Sequence, residues 1–256
     1  MADSKYPDIS TAHVQAARPA AATFPGQGAQ PAARREAASL AGNLAGNLAG
    51  NKVLRNTYRL LSMTLAFSAI TAAATASLQL PAPGLLLTLG GYFGLLFLTS
   101  YLRNSAWGLA SVFALTGFMG YTLGPLLSAY LGLANGPALI GSAMAVTGLT
   151  FLGLSAYARS SSAPNMLNFG TFLFVGVLTA FGLGLAALFF ELPALSLAVS
   201  GIFVLLMSGL IMYETQNIIS GGETNYIMAT VTLFVAIYNL FASLLHLLGF
   251  LGGEEG

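Results

Sequence analysis

The sequence contains no cysteine and very few charged residues. Without cysteine, disulfide bonds, thiolate catalysis and cysteine-based metal or iron–sulfur sites are excluded. Charged residues make up 7% of the 256 residues, against roughly 25% in a typical soluble domain. Hydrophobic residues make up 56%, and the mean hydropathy is +0.77. This composition excludes a soluble enzyme and a nucleic-acid-binding protein, and it indicates a chain that is solvated by lipid.

The N-terminal fifth of the chain differs in composition from the rest. It is rich in Ala, Pro, Gln and Gly, and it ends in a repeat of Ala-Gly-Asn-Leu that begins at Ala41. Such a segment cannot bury enough apolar surface to offset the entropy lost on ordering. We therefore predict a disordered cytosolic tail over residues 1–51 and a transmembrane domain over residues 52–256.

Seven apolar runs follow from residue 60 onward, each about 20 residues long and so able to cross the hydrocarbon core. Pro, Gly, Asn and Ser occupy the breaks between them. Lipid offers the backbone no hydrogen-bond partner, so each run is predicted to be a helix. The predicted fold class is an all-α polytopic bundle with spans at 60–79, 84–102, 107–131, 137–158, 168–190, 195–219 and 226–250.

The basic residues all fall on one side of the predicted spans. Arg103 lies between spans two and three, and Arg159 lies between spans four and five. The others precede span one: Lys5, Arg18, Arg34, Arg35, Lys52, Arg55 and Arg59. The positive-inside rule assigns this side to the cytoplasm. The N-terminus is therefore predicted to be cytoplasmic and the C-terminus periplasmic.

Small residues recur at helix-packing spacing in two spans. Gly90 and Gly94 form one pair, and Gly120 and Gly124 form the other. This spacing lets two helix backbones approach closely. We predict that both pairs pack within the bundle, in preference to forming a dimer.

Glu214 is the principal candidate for a functional residue. It lies in span six, about 10 Å from the predicted cytoplasmic end of the helix. A carboxylate at membrane depth is costly, and such residues are often functional. Arg103, at the end of span two, is the cation that could reach it. The alternative interpretation is a glutamate that snorkels to water.

Two further polar residues are weaker candidates. Glu223 lies in the cytosolic turn between spans six and seven, where a turn role is favoured over a ligand role, and Thr224 or Asn225 could cap the last helix. Asn239 falls in the middle of span seven and needs a hydrogen-bond partner across the bundle. We interpret Asn239 as structural in preference to a substrate contact.

The sequence indicates no catalyst and no cofactor. No lysine follows Lys52, which excludes a retinal protein. Ser208 and His246 would lie too far apart along their helices to form a protease dyad. No cluster of His and carboxylate residues suggests a metal site. We therefore predict a protein that is not an enzyme.

Several segments together point to a known family. They are Lys52–Tyr58, Gly84–Leu89, the short matches Thr116–Phe118, Gly120–Tyr121 and Leu123–Pro125, and, most specifically, Glu214-Thr215 followed by Asn217–Ile219 and Gly221–Ile227. On these segments the chain from about 51 to 252 resembles the Bax inhibitor-1 family of seven-helix membrane proteins, and within it the bacterial modulators of the FtsH protease. The resemblance implies a bundle with the last helix at its centre.

The resemblance also implies a partner and an activity. The partner is FtsH, the ATP-dependent protease of the inner membrane, and the activity is to bind it and restrain its degradation of membrane proteins. Proteins of this type can themselves be extracted through their cytosolic tail. The predicted tail of this chain is compatible with such a handle.

The wider family implies an alternative function, a pH-sensitive calcium leak. In that function two acidic residues on spans six and seven share a proton, and a basic residue on span two forms a latch. Glu214 matches the first acid and Arg103 lies near the basic position, but Ala236 stands at the second acidic position. A proton can be shared only between two acidic residues, and Ca²⁺ usually takes 6–8 oxygen ligands. This departure favours the protease modulator.

Overall fold

The computed structural model describes residues 29–253, and within that range it contains helices and no strand. The helices are α1 (Ala29–Ser77), α2 (Leu85–Leu102), α3 (Trp107–Leu131), α4 (Gly136–Tyr157), α5 (Gly170–Phe189), α6 (Pro193–Ile219) and α7 (Tyr226–Gly253), with a 3₁₀ turn at Leu167–Phe169. Each of the seven is long and apolar enough to cross a membrane. The predicted all-α, seven-helix membrane fold is confirmed.

The helix ends lie close to the predicted spans except at the start of α1. The part of α1 able to cross the membrane is Lys52–Ser77. It begins eight residues before the predicted span, because the basic residues between 52 and 59 lower the hydropathy there without ending the helix. Residues 1–28 of the predicted tail lie outside the described residues, and residues 29–51 form the N-terminal part of α1. The chain divides into compact units after Asn43, and the unit that starts at Leu44 holds all seven spans. The tail as a separate domain stays a prediction.

Helix α7 forms the centre of the bundle. It packs against α3, α4 and α6, and Thr230 Oγ1 donates to the Thr57 carbonyl of α1 at 3.3 Å. Along α7, Leu233, Ala236 and Leu240 are fully buried. Helix α2 packs mainly on α3, and α5 mainly on α6. These two helices are therefore held to the centre chiefly through their neighbours.

Close packing between α1 and α3 depends on glycine. A Cβ atom on Gly120 would collide with the backbone of Ser68, and one on Gly124 would collide with the Thr75 side chain. The predicted packing of this pair within the bundle is therefore correct. It is wrong for Gly90 and Gly94, which are exposed, and a Cβ atom on either of them would meet no other atom within 4 Å. Helix α2 instead meets α3 through Gly91, which lies against Phe118.

Alanine substitution tests this difference between the two glycine pairs. Gly120→Ala should lower the free energy of unfolding by about 1–3 kcal/mol, because the new methyl group meets the α1 backbone, which cannot move aside. Gly94→Ala is the matched control, and it should leave stability unchanged or raise it by up to about 1 kcal/mol through helix propensity. The measurement is thermal unfolding of the detergent-solubilised proteins. Equal destabilisation by the two changes would contradict this packing.

Candidate functional site

Helix α6 ends in a tight turn that directs the chain back over its own last residues. Gly221 adopts a left-handed backbone with φ of 79°. The Gly222 amide donates to the Asn217 carbonyl at 2.9 Å, and the Gly221 amide donates to the Ile218 carbonyl at 3.2 Å. This is the Schellman arrangement, in which glycine at the turn avoids the steric cost of a side chain. The Glu223 amide also donates to Asn217, at 3.2 Å.

The turn passes directly into the start of α7. Glu223 Oε1 accepts a hydrogen bond of 2.6 Å from the Asn225 amide. Asn225 Oδ1 accepts from the amides of Ile227 and Met228, at 2.9 and 3.2 Å. Of the two capping residues considered from the sequence, Asn225 thus performs the role, and it satisfies amides that the helix itself leaves unpaired.

Two amide side chains connect this turn to neighbouring loops. Asn225 Nδ2 donates to the Arg103 carbonyl at 3.1 Å and to Asn104 Oδ1 at 2.9 Å. Gln216 accepts from the Met166 amide at 2.8 Å and donates to the Pro164 carbonyl at 2.9 Å. The loops after α2, α4 and α6 are therefore joined at one end of the bundle. We call this the basic end, since Lys52, Arg103 and Arg159 lie there.

Glu214 lies inside the bundle near the basic end. Its side chain is 4% exposed, and it precedes the last residue of α6 by five positions, or about 7.5 Å along the axis. The side chains of Glu223 and Asn217 lie near its carboxyl group. A second acid therefore comes near Glu214 from the turn that follows α6, and sequence reasoning did not identify this proximity.

The structure does not bring Arg103 to Glu214. The Arg103 side chain is exposed at the end of α2, whereas Glu214 is buried in α6, and these two described residues form no ion pair. The contribution of Arg103 to the site is its backbone carbonyl, which binds Asn225. Ala236, at the position of the second acid, is fully buried in α7. The arrangement therefore lacks both the latch and the α7 acid that the leak alternative would use.

Asn239 lines a cavity in the middle of the bundle. The cavity has a volume of about 280 Å³ and is lined mainly by apolar residues of α2, α3, α5, α6 and α7. Asn239 Nδ2 donates to the Val235 carbonyl of its own helix at 2.8 Å, so its partner is not across the bundle. Tyr238 provides the cross-helix bond instead, at 3.1 Å from Thr122 Oγ1.

A serine–histidine contact that the sequence did not indicate lies toward the opposite end. Ser200 Oγ and His246 Nδ1 are 2.8 Å apart, whereas the sequence suggested only Ser208 as a partner to test. The Ser200 hydroxyl also lies 3.0 Å from the Ser196 carbonyl, to which it donates. The antiparallel register of α6 and α7 is the signal that could have found this pair. The contact joins α6 to α7.

Other buried polar groups gather toward the basic end. Four hydroxyl groups there are enclosed and have no hydrogen-bond partner within the described chain: those of Thr57, Tyr58, Thr99 and Ser155. Unpaired buried hydroxyls each cost roughly 1–3 kcal/mol. Nowhere in residues 29–253 do three or more His, Cys, Asp or Glu side chains come close enough to hold a metal.

Comparison with known proteins gives consistent matches over the transmembrane region. A family model described as "Inhibitor of apoptosis-promoting Bax1" matches residues 50–253. An uncharacterized protein of Pseudomonas aeruginosa is 53% identical over 203 residues, which cover 79% of this chain and 91% of the relative. The "Modulator of FtsH protease YccA" of Escherichia coli K12 is 52% identical over 199 residues, covering 78% of this chain and 90% of the relative. A protein of Escherichia coli O6:H1 with the same identity and coverage is named "Inner membrane protein YccA".

The stability of the basic end should depend more on Asn225 than on its neighbours in the turn. Asn225→Ala removes the α7 cap and both bonds to the loop after α2, and we expect a loss of about 1–2 kcal/mol or more in unfolding free energy. Thr224→Ala is the matched control, because Thr224 is the adjacent exposed residue. Thermal unfolding and protease sensitivity of the loop at residues 103–106 report the change. An unaffected loop in Asn225→Ala would contradict the proposed connection.

Proposed function

The chain belongs to the Bax inhibitor-1 family, and on that premise we propose that it is an inner-membrane regulator that binds an FtsH-type membrane protease and restrains its degradation of membrane proteins. The observation that carries the proposal is the 52% identity to a protein named as a modulator of FtsH protease, over 90% of that protein's length. The names of the family and of this relative describe an inhibitor and a modulator, and the proposal includes no catalytic activity.

The basic end is the surface that we assign to contact with the protease. Three loops are held together there by Gln216 and Asn225, and the span of α1 begins at the same end, at Lys52. A surface fixed by such bonds loses little entropy on binding, which favours its use as an interface. Across the described residues, the apolar sides of the bundle have no comparable set of polar contacts for recognition.

The proposed orientation places the basic end in the cytoplasm of a bacterial cell. Lys52, Arg103 and Arg159 lie at this end of their helices, as the positive-inside rule requires of cytoplasmic loops. The N-terminus would then be cytoplasmic and the C-terminus periplasmic. The N-terminal segment would lie on the side where an ATP-driven protease pulls on its substrates, and we propose that residues 1–51 serve as the handle for extraction of the protein itself.

The half-life of an FtsH membrane substrate tests the proposed function. In cells that overproduce the full chain, the substrate should survive longer than in cells without it, because the protease is occupied by the regulator. A form lacking residues 1–50 should protect the substrate more strongly, since it cannot be extracted by its tail. Pulse-chase labelling measures both effects.

A further variant, Asn225→Ala in the full chain, tests whether the basic end is the contact surface. If the basic end contacts the protease, this variant should protect less while remaining in the membrane fraction. A substrate half-life that is unchanged by the full chain and by the shortened form would refute the modulator function.

The leak alternative retains one supporting observation, the buried carboxylate of Glu214 beside Glu223. Glu214→Gln separates the two functions, because it removes the ionisable group and keeps the shape and hydrogen-bonding capacity of the side chain. We expect Glu214→Gln to preserve substrate protection in cells. Proteoliposomes should show the same calcium flux with the variant as with the original chain. A pH-dependent flux that Glu214→Gln abolishes would favour the leak and oppose the modulator.

A further inference from the structure

The lipid-facing surface of α1 and α4 at the basic end carries a cluster of cations. Lys52, Arg55 and Arg59 follow one another at spacings of three and four residues, which places them on one face of α1. All three are exposed. Arg159, just after the end of α4, is also exposed, and its guanidinium carbon lies 5.4 Å from the centre of the Tyr58 ring on α1. Three cations on α1 thus lie on the same helix turns as Tyr58, through which α1 contacts Arg159 and Phe151 of the α4 segment, and we call this surface the α1–α4 groove.

Arg159 is fixed in its position toward α1. Its Nε donates to the Ser155 carbonyl at 3.0 Å, and the Tyr58 ring beneath it makes an edge contact with Phe151 at 5.8 Å. The cation–π contact and the Nε hydrogen bond orient the guanidinium group. Its terminal nitrogens remain as donors, since Nε makes the one side-chain hydrogen bond recorded for Arg159 within the described chain.

Within residues 52–253, no acidic side chain balances this charge. The carboxylates in that range are Glu191, Glu214 and Glu223, and none of them forms an ion pair with the four cations. Guanidinium groups keep their charge in proteins. Arginines grouped on one surface without an anion repel one another, and an anion placed between them would convert this repulsion into attraction.

The depth and the surroundings of the groove identify the anion. The α1 span begins at Lys52, and Arg59 lies about 10 Å along the helix from Lys52, so the cluster occupies the first two turns of the span. Toward the centre of the bilayer, exposed apolar side chains continue on both helices, with Met63 54% exposed on α1 and Leu152 64% exposed on α4. The groove is thus cationic at headgroup level and apolar at the level of the acyl chains, as an anionic phospholipid requires.

We propose that the groove between α1 and α4 at the basic end binds an anionic glycerophospholipid of the bilayer, with Arg55, Arg59 and Arg159 contacting its phosphate and Lys52 at the outer edge. Basic pockets between transmembrane helices are known to hold such headgroups, and each cation near the surface contributes about 1 kcal/mol. The site does not depend on the proposed protease partner. Binding would fix the start of the α1 span against α4.

Native mass spectrometry of the purified full chain tests the site. The protein is mixed with equimolar phosphatidylglycerol and phosphatidylcholine of identical acyl chains, and the ratio of the two retained lipids is measured. The original chain should retain phosphatidylglycerol preferentially. Arg159→Gln should reduce this preference about fivefold, and the triple change Arg55→Gln, Arg59→Gln and Arg159→Gln should reduce it on the order of a hundredfold.

Two controls separate this site from general charge attraction. Arg103→Gln removes an exposed cation at the same end but outside the groove, and it should keep the preference. Replacing Arg55, Arg59 and Arg159 together with lysine preserves the charge and should keep most of the preference for phosphatidylglycerol. Thermal unfolding in phosphatidylcholine alone shows whether each variant is folded. If the triple variant does not fold, the result for Arg159→Gln, which changes one exposed residue, is used instead. No phosphatidylglycerol preference in the original chain, or an equal loss in Arg103→Gln, would overturn the proposal.

Discussion

The absence of water inside the bilayer is the constraint from which the rest of this structure follows. A polar group that is unpaired in hydrocarbon costs several kcal/mol, so each span must pair its own backbone groups. Many of the serine and threonine hydroxyls in the spans accordingly bond to carbonyls three or four residues earlier, as Thr147 does with Ala143 at 2.7 Å and Thr215 with Ile211 at 2.8 Å. Even the amide of Asn239 bonds within its own helix.

The same constraint concentrates bonds between elements at the ends of the bundle. At the basic end, Gln216 and Asn225 hold loops that come from α2, α4 and α6. At the opposite end, Asn135 Nδ2 lies 3.4 Å from the Gly252 carbonyl of α7. Between the ends, close packing joins α1 to α3 where Gly120 meets Ser68, and the bond between Tyr238 and Thr122 joins α7 to α3. Helix α7 is consequently fixed by polar bonds near its two ends, and along its length by apolar packing together with the bond from Tyr238 to Thr122.

How much the sequence predicts depends on whether a feature is local. Hydropathy predicts the seven spans because span length is set by the bilayer and not by the partner helices. The α7 cap is restricted to two residues by capping chemistry, which is also local. The proximity of Glu214 to Glu223 depends on the left-handed turn at Gly221, and the Ser200–His246 contact depends on the register of α6 against α7. These contacts are tertiary, and the spacing of residues along the sequence does not predict them.

The wrong prediction for Gly90 and Gly94 has the same cause. Their spacing suits helix packing, but their face of α2 meets no other helix.

The basic residues of this protein lie at one end of the bundle but have several separate structural roles. Their number on one side sets the direction of insertion, and for that purpose their positions on the helices do not matter. Their positions matter for everything else. Arg103 uses its carbonyl to bind Asn225, and its side chain stays exposed. Arg159 lies over Tyr58 and faces the basic stripe of α1. Moving a cation from the groove to another loop at the same end would keep the total charge and the orientation but would remove the lipid site. Topology and lipid recognition are therefore separable in this chain, although the same residue types produce both.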